Sequence, residues 1–97
     1  LGQELQFTPG QILFYQGNEP IGVYLLIKGT IAVAYSRLLG KTQVFVEKKG
    51  SILGLRHLLE GSTHCGTASA HSPVTLRFIS KAELLQLIKQ VKKQKSA

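Results

Sequence analysis

The fold is decided by residues 23–47, which read VYLLIKGTIAVAYSRLLGKTQVFVE. Two segments of it, residues 30–35 and 42–47, are rich in β-branched and aromatic side chains and alternate in part between apolar and polar positions, as strands do. The connection between them, residues 37–41, contains a Gly40-Lys41 pair that marks a turn. We therefore predict a β-hairpin.

Glycine spacing extends the β prediction to most of the chain. Glycines recur between residues 10 and 66 and cut the sequence into pieces of strand length, which is typical of a sandwich or barrel and not of a helical bundle. Residues 23–27 are apolar throughout, as in a strand buried on both faces. Strands are predicted over residues 11–16, 23–28, 30–35, 42–47, 66–70 and 74–79. The predicted fold class is mainly β.

A helix is predicted near the end of the chain. Ser80 is followed three residues later by Glu83, which is the pattern of a capping box. Apolar residues then recur with helical spacing, at Leu84, Leu87, Ile88 and Val91. We expect this face to pack on the sheet, and we expect the helix to fray after Val91, since residues 92–95 offer nothing to bury.

The composition describes one small domain. A chain of 97 residues supports a single hydrophobic core, so we expect one domain over residues 1–97, with its core at about 5–91 and a basic tail at 92–97. The longest apolar stretch, residues 21–27, is far shorter than the roughly 20 residues that cross a bilayer. Cys65 stands alone and no secretory signal opens the chain, so we expect no disulfide and a reducing, cytoplasmic compartment. Since the chain opens on Leu1, we expect it to be an excerpt from a longer protein.

The charge is uneven along the chain. The formal net charge is +7, and five of the twelve Lys and Arg residues lie in residues 81–97. This basic end has neither an aromatic residue for base stacking nor an Arg for base contacts, so we predict a solvated helix end and not a nucleic-acid or membrane site. There is no Asp, and the five Glu are scattered, so no paired-carboxylate site is predicted.

From Phe7 to about Ile88 the sequence resembles the cyclic-nucleotide-binding domain superfamily, the sensor half of CRP/FNR-type bacterial transcription regulators. Family members open with a Gly-x-x-Leu-Phe-x-Gln-Gly run, followed by four apolar residues and a further glycine. The matching residues are Gly10, Leu13, Phe14, Gln16, Gly17, 23–26, Gly29 and Ile31. The resemblance implies an eight-stranded jelly roll, a double-stranded β-helix with a cupin-like barrel, a short cassette helix and a C-terminal helix.

The resemblance also implies where a ligand would bind, because the family carries a phosphate-binding cassette whose Glu accepts the ribose hydroxyl and whose Arg pairs with the phosphate. The ligand-binding residues that it implies are Gly54, Leu55, Arg56, His64 and Cys65. Leu55 occupies the Glu position, His64 the Arg position, and Cys65 the hydroxyl-bearing position beside it. Two lost hydrogen bonds to charged groups would weaken binding by about 3 to 6 kcal/mol, or about 10²- to 10⁴-fold. Binding of cyclic AMP or cyclic GMP in the usual way is therefore not expected, unless Arg56 or a protonated His64 supplies the charge.

Other uses of the pocket stay open at this point. An apolar Leu55 suits a flat apolar ligand, or side chains that fill the space. His57, His64 and His71 with Cys65 invite a haem or metal hypothesis, but they are spaced seven apart, unlike a zinc finger or a helical ligand pair, and one Cys excludes a four-thiolate cluster. No metal and no cofactor is predicted. His64 and Cys65 are neighbours in a predicted loop with no third group to orient them, so we expect no enzymatic activity.

Two functions follow from the resemblance. The first is an effector-sensing domain of a CRP/FNR-type regulator, with a dimerising helix and a DNA-binding helix-turn-helix beyond Ala97. The parent protein would be a homodimer. It would bind a small-molecule effector in this domain and DNA only through the helix-turn-helix domain, and it would make no membrane contact. The alternative is a jelly roll that binds no ligand or an apolar one, and serves as a regulatory or interaction domain in another multidomain protein, such as a kinase, channel, transporter or lipid hydrolase.

Overall fold

The computed structural model describes residues 1–38 and 40–95, which form eight strands and two helices. The elements in chain order are β1 (Gln3–Phe7), β2 (Ile12–Phe14), β3 (Gly22–Lys28), β4 (Ile31–Arg37), β5 (Gly40–Val46), β6 (Ile52–Leu53), α1 (Leu55–Glu60), β7 (Thr67–Ala70), β8 (Val74–Ser80) and α2 (Lys81–Lys95). Neither helix in the described ranges is long and apolar enough to cross a membrane.

The strands form two antiparallel sheets of four strands each. One has the order β1-β8-β3-β6 and the other β2-β7-β4-β5. Apolar residues from both sheets meet in one buried core, among them Tyr24 and Leu26 of the first sheet and Ile31 and Val33 of the second. The mainly β jelly roll is confirmed, but strand pairing among the described residues does not close it into a barrel.

The predicted hairpin is formed by β4 and β5, with pairing from Ile31 opposite Val46 to Arg37 opposite Gly40. The strands run closer to the turn than predicted, because Arg37 and Gly40 pair with each other and do not lie in the loop. Leu39, which the predicted loop includes, lies outside the described residues.

Two strands were not predicted, and one is shorter than predicted. β1 is rich in Gln and Glu and has no apolar run, yet it pairs along its whole length with β8. β6 has two residues and is defined by its pairing with β3. β2 covers only Ile12–Phe14, because a register shift interrupts its pairing with β7. The extent of all three strands is therefore set by pairing with strands that are distant in the sequence.

β3 is buried on both faces, as its apolar sequence predicts. Tyr24 faces the core between the sheets, whereas Val23 belongs to a second cluster on the outer side. The turns that flank β3 contain the positive-φ glycines Gly17 (φ 91°) and Gly29 (φ 106°), where other residues would be strained.

The capping box at the start of α2 is confirmed. The Glu83 amide donates to Oγ of Ser80, and the Ser80 amide donates to Oε1 of Glu83. Leu84 and Ile88 pack in the second cluster, but Leu87 and Val91 are exposed, so only half of the predicted apolar face is covered. The helix extends past Val91 to Lys95, while Ser96 and Ala97 lie outside the described residues. That its end frays stays a prediction.

The second cluster joins both helices to the first sheet. Its buried members are Leu58 of α1, Leu84 of α2 and Val23 of β3, with Leu55, Ile79 and Ile88 packed against them. The small helix α1 is therefore held between the sheet and the C-terminal helix by apolar contacts.

Candidate functional site

A cavity of about 420 Å³ opens beside α1, between that helix and the inner face of the second sheet. All five residues that the resemblance implied for ligand binding line it: Gly54, Leu55, Arg56, His64 and Cys65. The other lining residues are mostly apolar or aromatic, and include Phe14, Val33, Tyr35 and Val46. Side chains therefore do not fill the pocket, which was one of the alternatives left open.

Gly54 directs the chain from β6 into α1. It has φ 88°, a left-handed conformation that favours glycine, and it stands at the N-terminal boundary of the helix. A Cβ at this position would lie 3.2 Å from Cε1 of His64. The absent side chain thus leaves room for the imidazole, so Gly54 serves both the turn and the cavity wall.

His64 is buried in the wall of the cavity, with only 3% of its surface exposed. Its ring stacks on Phe14, with centroids 3.8 Å apart and an interplanar angle of 14°. Backbone hydrogen bonds hold the loop: the His64 amide donates to Asn18, and the Gly17 amide donates to the His64 carbonyl. Neither ring nitrogen makes a hydrogen bond within the described part of the chain.

The charge state of His64 differs from that of the Arg in the family pattern. Burial lowers its pKa below the ordinary 6.5, and the nearby His57 lowers the pKa further. His64 is therefore neutral at pH 7 and does not supply the missing positive charge there.

Leu55 and Arg56 are the first two residues of α1; Leu55 forms part of the cavity wall, and Arg56 is an exposed cation beside it. Leu55 lines the cavity and packs against the second cluster, so an apolar group stands where the family pattern has a carboxylate. The Arg56 side chain is 73% exposed, and its Nε lies 4.0 Å from Oε1 of Glu60. Such an exposed pair is weak, so the guanidinium stays available to an anionic ligand at the cavity opening.

Cys65 is paired with a different histidine from the one that the sequence suggested. Its Sγ lies 3.1 Å from Nε2 of His57, and Nδ1 of His57 lies 3.0 Å from Oγ of Ser62. The pair that the sequence suggested was His64 with Cys65; the structure instead places His57 beside Cys65, with Ser62 on the other ring nitrogen of His57. Only the folding of the 61–66 loop back over α1 brings these residues together, and their spacing in the sequence gives no signal of it.

The metal hypothesis gains no cluster from the structure. His57, His64 and Cys65 line the same cavity, but His71 lies elsewhere and packs edge-on against Phe45 at 4.9 Å. Within residues 1–38 and 40–95, no three His, Cys or acidic side chains are placed to hold a metal ion.

Comparisons with known proteins agree with the fold. The model of the family described as cyclic nucleotide-binding domain matches residues 4–91. A comparison with curated proteins found no match.

Several solved structures are similar in fold. A catabolite activator protein from Thermus thermophilus has a TM-score of 0.84 at 22% identity, covering 94% of this chain and 43% of its own. A cyclic nucleotide-binding-like protein from Brucella abortus has a TM-score of 0.77 at 24% identity, covering 91% and 76%. The cAMP-bound EAL enzyme Bd1971 has a TM-score of 0.77 at 19% identity, covering 90% and 23%. The chain thus spans less than half of the first and about a quarter of the last.

Proposed function

Since the chain belongs to the cyclic nucleotide-binding domain family, we propose that it is the effector-sensing regulatory domain of a CRP/FNR-type transcription regulator. Its effector is not cyclic AMP or cyclic GMP held in the family's usual way. The observation that carries this proposal is the cavity wall, in which an apolar Leu55 and a neutral His64 stand where a ribose-binding Glu and a phosphate-binding Arg are expected.

The cavity suits a small organic effector. Its volume of about 420 Å³ lies within the roughly 300 to 1,000 Å³ of known ligand pockets. No carboxylate is among its described lining residues, and the stacked rings of Phe14 and His64 offer a flat wall. A flat, largely apolar ligand that is neutral, or that carries an anionic group near Arg56, meets these features.

Effector binding is transmitted through α1. Leu55 contacts both the cavity and the cluster that contains Leu58 and Leu84, so a ligand that displaces α1 also changes the packing of α2. A ligand that binds one arrangement of the helices better than another shifts their populations. In the proposed parent protein, a homodimer, this shift reorients helix-turn-helix domains on DNA.

A calorimetric titration of the purified domain with cyclic AMP and cyclic GMP up to millimolar concentration tests the ligand part of this proposal. We expect no saturable heat in the micromolar range for either nucleotide, and no Soret band in the absorption spectrum of the same sample. Saturable micromolar binding would contradict the proposal and would assign the phosphate to Arg56. The DNA-binding part is tested by the coding sequence beyond Ala97, where we expect a recognition-helix pattern.

A second function is favoured by one of the comparisons. The similar domain of the EAL enzyme makes up 23% of a protein that is named for a different activity. The present chain would then regulate another kind of multidomain protein. A catalytic or transmembrane domain downstream of Ala97, in place of a recognition helix, is the outcome that this alternative predicts.

A further inference from the structure

His57 lies between a hydroxyl and a thiol at the mouth of the cavity. Its Nδ1 is 3.0 Å from Oγ of Ser62, and its Nε2 is 3.1 Å from Sγ of Cys65. When Nδ1–H donates to Ser62, Nε2 is left as an acceptor for the thiol proton. Cys65 itself is exposed, so reagents from solution reach its sulfur. The arrangement is that of a nucleophile beside a base that a third group orients.

A second observation points to a ligand at the same place. His64 is only 3% exposed. Its ring nitrogens have no hydrogen bond among the described residues. Its ring lines the cavity together with His57 and Cys65, and its centroid is 6.3 Å from that of His57. A neutral imidazole has one N–H to donate. No fully buried side-chain nitrogen among the described residues lacks a partner, so the unpaired ring nitrogens of His64 are reached from the cavity that the ring lines. A ligand with an acceptor oxygen would satisfy it.

We propose that Cys65 is a covalent acceptor site for small α,β-unsaturated carbonyl compounds that enter this cavity, with His57 as the base and His64 as the donor to the carbonyl oxygen. The wall favours this class of electrophile, because Val33, Val46 and Leu55 suit a carbon skeleton and the single unpaired N–H suits a carbonyl.

The reaction is an addition in which atoms and electrons balance. The thiol proton of Cys65 passes to Nε2 of His57, and the sulfur forms a bond to the β-carbon. The π electrons of the carbon–carbon double bond move towards the carbonyl oxygen, where N–H of His64 stabilises the developing charge. The proton then passes from His57 to the α-carbon. The product is a saturated thioether, and no oxidant, reductant or leaving group takes part.

The site goes beyond effector sensing and has its own readout. An adduct on Cys65 changes the mass of the chain, whereas the nucleotide titration measures heat, so one proposal can fail without the other. Because the adduct would occupy the cavity beside α1, it would act on the same helix as a reversible effector.

The test is the rate of adduct formation with methyl vinyl ketone, followed by intact-protein mass spectrometry with the modified peptide identified. The sole cysteine of the chain makes the count unambiguous, and the same chain unfolded in urea gives the rate for an unassisted Cys65. We expect the folded chain to react about tenfold faster, below the roughly 10²- to 10⁴-fold of general bases in enzymes. Equal rates in the folded and unfolded chains would overturn the proposal.

Variants separate the three roles. His57→Gln should lower the folded rate to that of the unfolded chain, and Ser62→Ala should lower it partly. His71→Gln, a histidine away from the cavity, is the matched control and should change nothing. His64→Gln should slow addition of methyl vinyl ketone but not alkylation by iodoacetamide, whose reacting carbon passes no charge to an oxygen. An unchanged rate in His57→Gln would refute the assignment. So would a folded chain whose Cys65 reacts faster than in the unfolded chain with hydrogen peroxide only and not with methyl vinyl ketone.

Discussion

Leu58 of the cavity helix and Leu84 of the C-terminal helix are buried in the same apolar cluster, with Val23 of β3 as its third buried member. The cluster lies outside the main core and connects the wall of the cavity to the last helix of the domain. In the proposed function, it is the route by which occupancy of the cavity would reach α2.

Truncation of this cluster should destabilise the domain. Leu58→Ala removes a buried side chain, so the free energy of unfolding should fall by about 2 to 5 kcal/mol. The measurement is chemical unfolding followed by circular dichroism. Leu59→Ala, on the next residue of α1 but with an exposed side chain, is the matched control and should change stability by less than about 0.5 kcal/mol. Similar losses for both variants would mean that the cluster does not hold α1.

Stability should fall in mild acid because of His64. Its pKa is lowered in the folded state by burial and by His57, so folding favours the neutral ring. This contribution is fully present above the unfolded pKa near 6.5 and is lost as the pH falls through 6.5 towards the lower folded value. Unfolding titrations at several pH values across this range should show the loss. His64→Gln should flatten the profile and His71→Gln should not; a profile that His64→Gln leaves unchanged would assign the effect to another group.

The sequence was sufficient for the features that depend on local pattern. The hairpin of β4 and β5, the capping box of Ser80 and Glu83, and the burial of β3 on both faces each leave a mark in consecutive residues. It was insufficient where a distant partner decides the structure. β1 and β6 are strands only because β8 and β3 pair with them, and His57 meets Cys65 only because the 61–66 loop folds over α1. The family resemblance located the cavity residues, but it did not reveal the unpaired ring of His64.

Gly54→Ala should test how closely the chain turn and His64 are coupled. At Gly54 the substitution meets both an unfavourable φ of 88° and the ring of His64, whose Cε1 would be 3.2 Å from the new Cβ. Gly61→Ala is the control, because Gly61 also has a positive φ, 71°, but nothing lies within 4 Å of its Cβ position. Both variants should lose about 1 kcal/mol or more from backbone strain. Gly54→Ala should lose more, and only it should change the ring signals of His64 and Phe14 in NMR spectra. Equal losses and unchanged spectra would show that the ring moves away freely.

Restoring two charged side chains should restore nucleotide recognition if the departures at Leu55 and His64 are what weaken it. In the double variant Leu55→Glu/His64→Arg, a carboxylate returns for the ribose hydroxyl and a guanidinium for the cyclic phosphate. Since each hydrogen bond to a charged group is worth about 1.5 to 3 kcal/mol, affinity for cyclic AMP should rise by about 10²- to 10⁴-fold over the parent chain. Calorimetry measures the change directly, and each single variant should recover only part of it.

The matched control is Leu59→Glu/His71→Arg, which adds the same charges to exposed positions outside the cavity wall and should leave affinity unchanged. A gain in the control as large as in the test variant would mean that net charge, and not the geometry of the cavity, governs binding. No gain in a folded test variant would mean that Cys65 and the surrounding apolar wall exclude the nucleotide by shape, so that the cavity is adapted to a different ligand and has not merely lost two contacts.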